Sequence, residues 1–510
     1  MSSDATTIPL RDERPAARRI GRVRAAGVDR GRVVGAIGLS TIVLLSLLIV
    51  VMAADRPSLL SPTTHTGYFP GWMAGPLGGL WPSLTSDGTT LKNIFSFSMI
   101  AMYLGYLGVL RYSARLPARW IVTAIVAVHC VFVFSPPLAL TDLFNYVNYG
   151  RMEIVHHLNP YTTIPILEPH SDPSYTLSNW HELLSPYGPL FTIVTFVVVP
   201  LGVAGSFWAL KLLMILTSLA ILRLVWLCAK RVGRDPVPAV ALVGLNPIVL
   251  VWGLGGDHND FLMVFCIVLA FYLMLVAREH ERDRQEGGPA TWLWPLSPRL
   301  IGAAVALTVA TGLKASAAVL IPVVLAGLLR HRRALVQMLI GLVLGGLAVA
   351  AASLIAFGLH IPDLSTQSQL VTSESVPNLI GLALGLGGET EGLHEVLTGA
   401  LAVALLGCCW LAWKGSERGA ARRTITAAGW SSVALLVTLG WVLPWYVVWV
   451  LPLAALSSSK RLRTFALVFG AYLIVVWMPS SGSIWGLLHF HPEKTSLGRL
   501  HQRAVKELLN

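Results

Sequence analysis

Charged residues are scarce in this sequence. Asp, Glu, Lys and Arg make up 13% of its 510 residues, whereas hydrophobic residues make up 55%. Soluble globular domains carry about 25% charged residues, so this composition leaves little room for a water-soluble class. Several apolar runs of roughly 20 residues, each long enough to cross a bilayer as a helix, predict a polytopic membrane protein.

Cysteine is also rare, and it lacks the spacings that cysteine chemistry requires. None of the cysteines is placed to staple an exposed loop, and there is no Cys-x-x-Cys pair or other metal-binding spacing. All five lie inside apolar runs: Cys130, Cys228, Cys266, Cys408 and Cys409. We therefore predict neither a disulfide scaffold nor a thiolate metal site, and the redox compartment cannot be inferred from cysteine.

The excess of positive charge is best explained by topology. A net charge of +12 in a soluble chain would suggest a nucleic-acid partner. Here Lys and Arg cluster in short segments between apolar runs, as they do in cytoplasmic loops of membrane proteins, so we expect no nucleic-acid partner. Residues 1–32, polar and rich in Arg, are expected to form a disordered cytoplasmic tail. Residues 479–510 are expected to form an outward-facing tail.

The basic clusters also bear on the number of spans. If the apolar run 190–203 crossed the membrane, the clusters at 230–234, 278–284 and 330–333 would all lie outside. We therefore interpret this run as non-spanning. The sequence then predicts an all-α protein with one transmembrane catalytic domain, 33–478, and about 13 transmembrane helices. Their predicted ranges are 33–53, 93–110, 120–140, 207–228, 238–255, 259–277, 300–313, 315–329, 334–357, 393–413, 425–442, 445–456 and 464–478.

The stretch 140–151 directly follows the third predicted span and reads Leu-Thr-Asp-Leu-Phe-Asn-Tyr-Val-Asn-Tyr-Gly-Arg. Its carboxylate, Asp142, is expected where that span leaves the bilayer on the outer side. Read as a helix, the stretch has Tyr146 and Tyr149 on a polar face with Asp142, and Leu143 and Val147 on an apolar face. This pattern predicts an amphipathic helix lying flat in the membrane interface. An ordinary amphipathic loop helix is the alternative.

Other polar features are predicted to lie on the same side of the membrane. Gly-Gly-Asp-His-Asn-Asp at 255–260 lies between two apolar helices, Lys314 lies between two apolar half-runs, and Trp and Tyr residues recur within 441–449. Ionisable groups at membrane depth are costly and mostly functional, so we expect these features to form one cavity. The alternatives are a polar turn, a snorkelling lysine and an interfacial aromatic belt.

Three motifs carry a resemblance to a known family. They are Thr-Asp-Leu-Phe-Asn-Tyr-Val-Asn-Tyr-Gly-Arg with His-Leu-Asn-Pro-Tyr in 141–161, the turn at 255–260, and Leu-Pro-Trp-Tyr-Val-Val-Trp-Val-Leu-Pro-Leu at 443–453. The chain resembles the GT-C class of integral-membrane glycosyltransferases from about residue 30 to 480. Within that class it is similar to the actinobacterial polyprenyl-phosphomannose-dependent α-1,6-mannopyranosyltransferases. Two departures are the extra spans before Asp142 and the additional Asp257 before His258-Asn259-Asp260.

The resemblance implies a lipid-linked sugar donor bound from the outer leaflet, a glycan or glycolipid acceptor, and a first-loop Asp as catalytic base. We predict a multi-pass plasma-membrane enzyme, active on its outer face, that transfers mannose with inversion, in an α-1,6 linkage, to an extending cell-envelope glycan or glycolipid. The predicted catalytic residues are Asp142, Asp257 and Asp260; the donor-binding residues are Lys314, Arg151, His258 and Asn259; and the sugar- or lipid-stacking residues are Tyr146, Tyr149, Tyr187, Trp441, Trp445 and Tyr446. No cofactor or metal is predicted, with a carboxylate-bound divalent cation as the alternative.

The competing hypothesis is a multi-span transporter or flippase for a lipid-linked glycan. A transporter is expected to have related halves with broken helices at matching positions and charge at the membrane midplane. This sequence gathers its charge toward one face and has no repeat of fixed period, which favours an enzyme. A membrane scaffold without chemistry has no need of buried Asp and Lys.

Overall fold

The computed structural model describes residues 29–55, 70–81, 87–138, 142–287, 297–363, 370–414 and 419–487. In these ranges the regular structure is helical and no β-strand occurs, which confirms the all-α prediction. Most of the predicted tail 1–32 lies outside the described residues, and the first helix begins at Arg30. The predicted outward tail 479–510 is described only as far as residue 487.

The described α-helices are numbered here in chain order. The first nine are α1 (Arg30–Asp55), α2 (Gly71–Ala74), α3 (Gly88–Tyr112), α4 (Ala118–Val133), α5 (Asp142–His156), α6 (Pro189–Val198), α7 (Gly202–Arg231), α8 (Pro236–Gly244) and α9 (Asp260–Gly287). The next nine are α10 (Pro298–Leu313), α11 (Leu320–Leu328), α12 (Arg332–Phe357), α13 (Val376–Ala383), α14 (Glu391–Trp413), α15 (Ala420–Thr438), α16 (Leu451–Leu456), α17 (Lys460–Trp477) and α18 (Ser481–Leu487).

The chain is a membrane-embedded protein, because several of its helices are long and apolar enough to cross a bilayer. In the described part of the chain six segments meet this condition: Arg30–Asp55, Gly88–Arg115, Pro189–Arg231, Asp260–His280, Arg332–Phe357 and Glu391–Trp413. The predicted count of about 13 is not confirmed. Helix is present in the other predicted segments too, but in shorter or less apolar pieces. Predicted span 238–255, for example, is broken near Pro247 into α8 and a π-helical turn, Val249–Leu254.

The run 190–203 forms the short helix α6, a 3₁₀ turn, and a bend into α7 at Gly202, whose φ is 73°. With ten residues, α6 is about 15 Å long, half the thickness of the hydrocarbon core. With thirty residues, α7 is long enough to cross alone. These lengths fit the interpretation of 190–203 as non-spanning. Helix α6 packs against α5, α10 and α12 through one face, and Val197 on its other face is exposed.

Helix α5 differs from the flat interfacial helix that the sequence predicts. Every residue from 142 to 150 is buried, on the predicted apolar face and on the predicted polar face alike. Only its last turns expose apolar side chains, at Ile154 and Val155. The polar face is covered by the following loop, because Asn145 exchanges hydrogen bonds with Asn179 and the Tyr149 hydroxyl donates to the carbonyl of Leu183. The prediction failed because the sequence pattern does not reveal what a long loop folds back upon.

Candidate active site

Asp142 and the turn at 255–260 meet in the interior of the bundle. Asp142, the first residue of α5, has its Oδ2 atom 3.2 Å from Nδ1 of His258. The imidazole is fully buried and lies flat on the indole of Trp445, with ring centroids 3.4 Å apart and 8° between the planes. Because this stacking fixes the plane of the ring, Nδ1 is held toward the carboxylate.

The backbone of the turn is unusual in a way that serves this contact. Asp257 has φ of 57°, in the left-handed region that is costly for a residue other than glycine. A Cβ atom at Gly256 would lie 2.4 Å from Nε2 of His258, so only glycine lets the imidazole fold back over the turn. The backbone N–H of Asn259 donates to the Tyr146 hydroxyl, 3.3 Å away, and this hydrogen bond connects the turn to α5.

A second charged group, formed by Asp260 and Lys314, lies at the start of α9. The Nζ atom of Lys314 donates to Oδ1 of Asp260 at 2.8 Å, and Nε1 of Trp449 donates to the same oxygen at 2.6 Å. The ammonium also lies over the rings of Tyr446 and Trp449, at 4.5 and 5.3 Å from their centroids. Asp260 is buried, whereas 23% of the Lys314 side chain is exposed. Lys314 is therefore the more accessible member of the pair.

The loop before α6 reaches Lys314 through a very close backbone approach. Gly188 donates its amide hydrogen to the carbonyl of Leu313, the residue before Lys314, at 3.3 Å. A Cβ atom at Gly188 would lie 2.2 Å from the carbonyl oxygen of Gly312, so the approach requires glycine. The neighbouring Tyr187 is thereby brought to the aromatic side chains of the site.

The predicted stacking residues form a buried aromatic group. Tyr187 packs edge-on against Tyr146, with centroids 4.7 Å apart, and Tyr149 lies 6.0 Å from Tyr187. Tyr446 stacks on Trp449 at 4.3 Å. Trp441, three residues after the end of α15, is only half-buried, and its role remains a prediction from the sequence. Because the described members are packed on one another, their role toward a sugar or lipid also remains a prediction.

Asp257 has a different partner from the other predicted catalytic acids. Its carboxylate accepts from Nζ of Lys211 at 2.8 and 3.0 Å, and both side chains are fully buried. Lys211 also lies near the Ser135 hydroxyl, 3.3 Å away, just beyond the end of α4. The ammonium group of Lys211, a residue of α7, thus connects the turn to the segment that leads to Asp142. Sequence reasoning missed Lys211, although an isolated Lys within an apolar run is a recognisable signal.

Arg151, predicted to contact donor phosphate, is instead engaged by its own loop. Its guanidinium forms two hydrogen bonds of 2.9 Å and one of 3.1 Å with Asp172, which also accepts from Ser174 and contacts His156. Burial favours the neutral acid, but these hydrogen bonds outweigh it and hold the pKa of Asp172 below its ordinary value. Nearby, burial raises the pKa of Glu168 to about 8. The Arg151 contact organises the loop that covers α5.

Several buried polar atoms at the site have no hydrogen-bond partner among the described residues. They are Oδ1 of Asp142, both ring nitrogens of His258, both side-chain amide atoms of Asn259, Oδ2 of Asp260 and the Tyr187 hydroxyl. A buried polar group without a partner costs about 1–3 kcal/mol, so such a concentration is typical of a site that binds a polar ligand. In the described ranges, no three His, Cys, Asp or Glu side chains are grouped as they would be around a metal ion.

Comparison with known proteins identifies the family of the chain. Residues 32–330, more than half of the chain, match the N-terminal domain of the alpha-(1->6)-mannopyranosyltransferases. The chain belongs to this family. Residues 372–491 match the MptB C-terminal domain. The predicted resemblance and the predicted class of enzyme, a mannosyltransferase, are thereby confirmed.

Three named relatives come from Mycobacterium tuberculosis and Corynebacterium glutamicum. Alpha-(1->6)-mannopyranosyltransferase A of Mycobacterium tuberculosis is 28% identical, with 70% of this chain and 69% of the relative covered. The protein of the same name from Corynebacterium glutamicum is 25% identical, with 62% and 66% covered. Alpha-(1->6)-mannopyranosyltransferase Rv1459c of Mycobacterium tuberculosis is 26% identical, with 67% and 66% covered. The chain therefore spans about two thirds of the length of these relatives. No solved structure matches the chain.

Proposed function

We propose that this membrane mannosyltransferase moves mannose from a polyprenyl-phosphate donor to an extending cell-envelope glycan or glycolipid. The product linkage is α-1,6, it forms with inversion, and Asp142 is the general base. One observation carries the proposal: a buried carboxylate oxygen of Asp142 has no partner among the described residues, and its other oxygen lies 3.2 Å from Nδ1 of His258. The family membership and the names of the relatives support the sugar and the linkage.

The chemistry requires only one proton transfer from the acceptor. A polyprenyl phosphate is a competent leaving group at neutral pH, so its departure needs no general acid. The incoming sugar hydroxyl attacks the anomeric carbon, the bond to the phosphate oxygen breaks, and Oδ1 of Asp142 takes the hydroxyl proton. A positioned base of this kind contributes about 10²–10⁴-fold to the rate. A single displacement converts a β-linked donor into an α-linked product.

His258 orients the base in this scheme. Its Nδ1 lies 3.2 Å from Oδ2 of Asp142, and the ring is held by stacking on Trp445. The contact at Oδ2 leaves Oδ1 of Asp142 for the acceptor. The division of labour is comparable to other catalytic pairs in which one member sets the orientation of the other.

Lys314 is the proposed partner of the donor phosphate. Lys314 is a cation, and part of its side chain is exposed. A phosphate oxygen could therefore reach the ammonium and form a charge-assisted hydrogen bond with it. Asp260, through Oδ2, and the amide of Asn259 are proposed to orient sugar hydroxyls. We do not include Arg151 among the groups that contact substrate, because it forms an ion pair with Asp172. Asp257 is left out for the same reason, because it forms an ion pair with Lys211.

The proposed location is the plasma membrane, with the N-terminus in the cytoplasm and the site open to the outer face. The positive charge of the loops supports this orientation. A lipid-linked donor and a membrane-bound acceptor would both reach such a site laterally.

The decisive experiment is Asp142→Asn in the purified full-length chain, assayed with polyprenyl-phosphomannose and with other polyprenyl-phosphate sugars. The amide keeps the shape of the side chain but cannot take the proton, so turnover is expected to fall at least about a hundredfold while donor binding persists. Asp235→Asn is the matched control, because Asp235 is exposed and caps α8, a role that Asn also fills. Near-normal turnover of a well-folded Asp142→Asn enzyme would reject Asp142 as the base.

A further inference from the structure

Two arginines meet at one backbone oxygen far from the candidate active site. The carbonyl oxygen of Ser457 accepts from Nη1 of Arg234 at 2.6 Å and from Nη1 of Arg463 at 2.9 Å. Ser457 directly follows α16, so a plain explanation is that the arginines cap the end of that helix. One cation is sufficient for that purpose, and two like charges on the same oxygen repel each other.

A third arginine lies against the same place. Arg422 is so close to Gly233 that a Cβ atom there would lie 2.8 Å from its Nη2 atom. Its guanidinium is therefore next to Arg234. We call Arg234, Arg422 and Arg463 the arginine cluster. Among the ion pairs of the described residues, none joins a member of this cluster to a carboxylate.

The electrostatic environment of the arginine cluster is unfavourable for cations. Burial lowers the pKa of Arg234 below its ordinary value, and the like charges of Arg463 and Arg422 lower it further. Arg422 and Arg463 lie in the first turns of α15 and α17, where the helix dipole also disfavours positive charge. Three guanidinium groups and two helix N-termini thus concentrate positive potential at one point. An anion would relieve all of these costs together.

The arginine cluster lies at the opposite end of the bundle from the candidate active site. Helix α7 connects the two regions, with Lys211 near the site and Arg231 near the cluster. These residues are about 30 Å apart along the helix axis, which equals the thickness of the hydrocarbon core. With the candidate active site at one membrane surface, as proposed above, this separation puts the cluster at the level of the phospholipid headgroups of the other leaflet.

We propose that the arginine cluster binds the phosphate of an anionic phospholipid in the leaflet opposite the active site. The planar guanidinium donates paired hydrogen bonds that match phosphate oxygens, and basic pockets between membrane helices are suited to anionic headgroups. A bound lipid would join the ends of α7, α15, α16 and α17. A soluble phosphate has the same chemistry, but the position of the cluster at headgroup level favours the lipid.

The test uses the purified full-length chain in neutral detergent, with thermal unfolding followed as lipid is added. Dioleoylphosphatidylglycerol is expected to raise the unfolding midpoint in a saturable manner, whereas dioleoylphosphatidylcholine is not. Arg422→Gln is the main variant, because Arg422 is exposed and its side chain donates no hydrogen bond among the described contacts. Its apparent affinity for the anionic lipid is expected to be about fivefold weaker. Arg461→Gln, which removes an exposed arginine from the same turn of α17, is the matched control and is expected to retain the wild-type affinity.

Other results would overturn the proposal. Equal responses to the two lipids, or equal affinity of Arg422→Gln and Arg461→Gln for the anionic lipid, would contradict lipid binding. Arg234 and Arg463 would then only cap the end of α16. Sodium phosphate is the remaining comparison, at an ionic strength matched with sodium chloride. If sodium phosphate alone reproduced the full saturable shift, the ligand would be a soluble anion and the assignment to a lipid would be wrong.

Discussion

His258 contacts Asp142 through one nitrogen and packs on Trp445 through its face. These two functions can be separated by substitution. His258→Phe keeps an aromatic ring for stacking but removes Nδ1, so the carboxylate of Asp142 loses the group that orients it. Small losses of catalytic geometry can reduce rates by about a hundredfold, and we expect kcat to fall roughly ten- to a hundredfold with the donor KM nearly unchanged. Steady-state kinetics with His360→Phe, a change at an exposed histidine, provide the comparison. A normal kcat for His258→Phe would limit this residue to packing.

Lys314 pairs with the carboxylate of Asp260 and is also proposed to bind the donor phosphate. Lys314→Met removes the cation while it keeps most of the side-chain volume, so the donor KM is expected to rise about tenfold or more, because a charge-assisted contact to phosphate is lost. Lys314→Arg is expected to retain most of the donor affinity. Lys414→Met is the control, because Lys414 also lies over a tryptophan, Trp410, but belongs to the far end of α14. An unchanged donor KM for Lys314→Met would indicate that Lys314 only pairs with Asp260.

At the scale of elements, the turn at 255–260 is held by an ion pair that never reaches water. Lys211 and Asp257 are both fully buried, and the pair connects α7 to the turn. Removal of one partner from a buried pair leaves an uncompensated charge and typically costs about 3–5 kcal/mol. We therefore expect Lys211→Met to lower the thermal unfolding midpoint strongly, as measured in detergent. The double variant Lys211→Met/Asp257→Asn is expected to recover most of the loss, since no buried charge remains. A single variant as stable as wild type would show that the pair is not needed for the fold.

The elements that carry the site were predictable because each contains polar residues next to an apolar run, a pattern that is visible in a short stretch of sequence. Asp142 after an apolar run, the acidic turn and Lys314 between two half-runs are all costly in a membrane, and the structure brings them together with Trp445. The pairing among them was not predictable from one sequence. Whether Asp257 or Asp260 faces Lys314 depends on the left-handed backbone at Asp257, and Lys211 lies 46 residues from its partner. The burial of α5 depends likewise on a loop whose path the helical pattern does not encode.

At the scale of the whole molecule, polar chemistry occupies one end of the bundle and the arginine cluster the other. The two ends are connected by α7, whose thirty residues correspond to about 45 Å. This separation resembles the division of a membrane protein into two faces. Between these ends, α10 and α11 are separate short helices on either side of Lys314.

The orientation of the two faces yields a prediction that involves the entire chain. If α6 dips into the membrane and returns, α7 crosses alone, and the basic ends at Lys230 and Arg332 lie in the cytoplasm, as the positive-inside rule requires. Reporter fusions after Lys230 and Arg332 are then expected to report the cytoplasm, and fusions after Asp172 and Gly388 the outside. The control is a fusion after Arg115, at the end of the second long apolar segment, which is expected in the cytoplasm whether or not α6 crosses. A fusion after Lys230 that reports the outside would mean that α6 and α7 both cross. Asp142 precedes α6 and would stay outside, so the arginine cluster next to Lys230 would lie on the same side as Asp142, and its assignment to the opposite leaflet would be wrong.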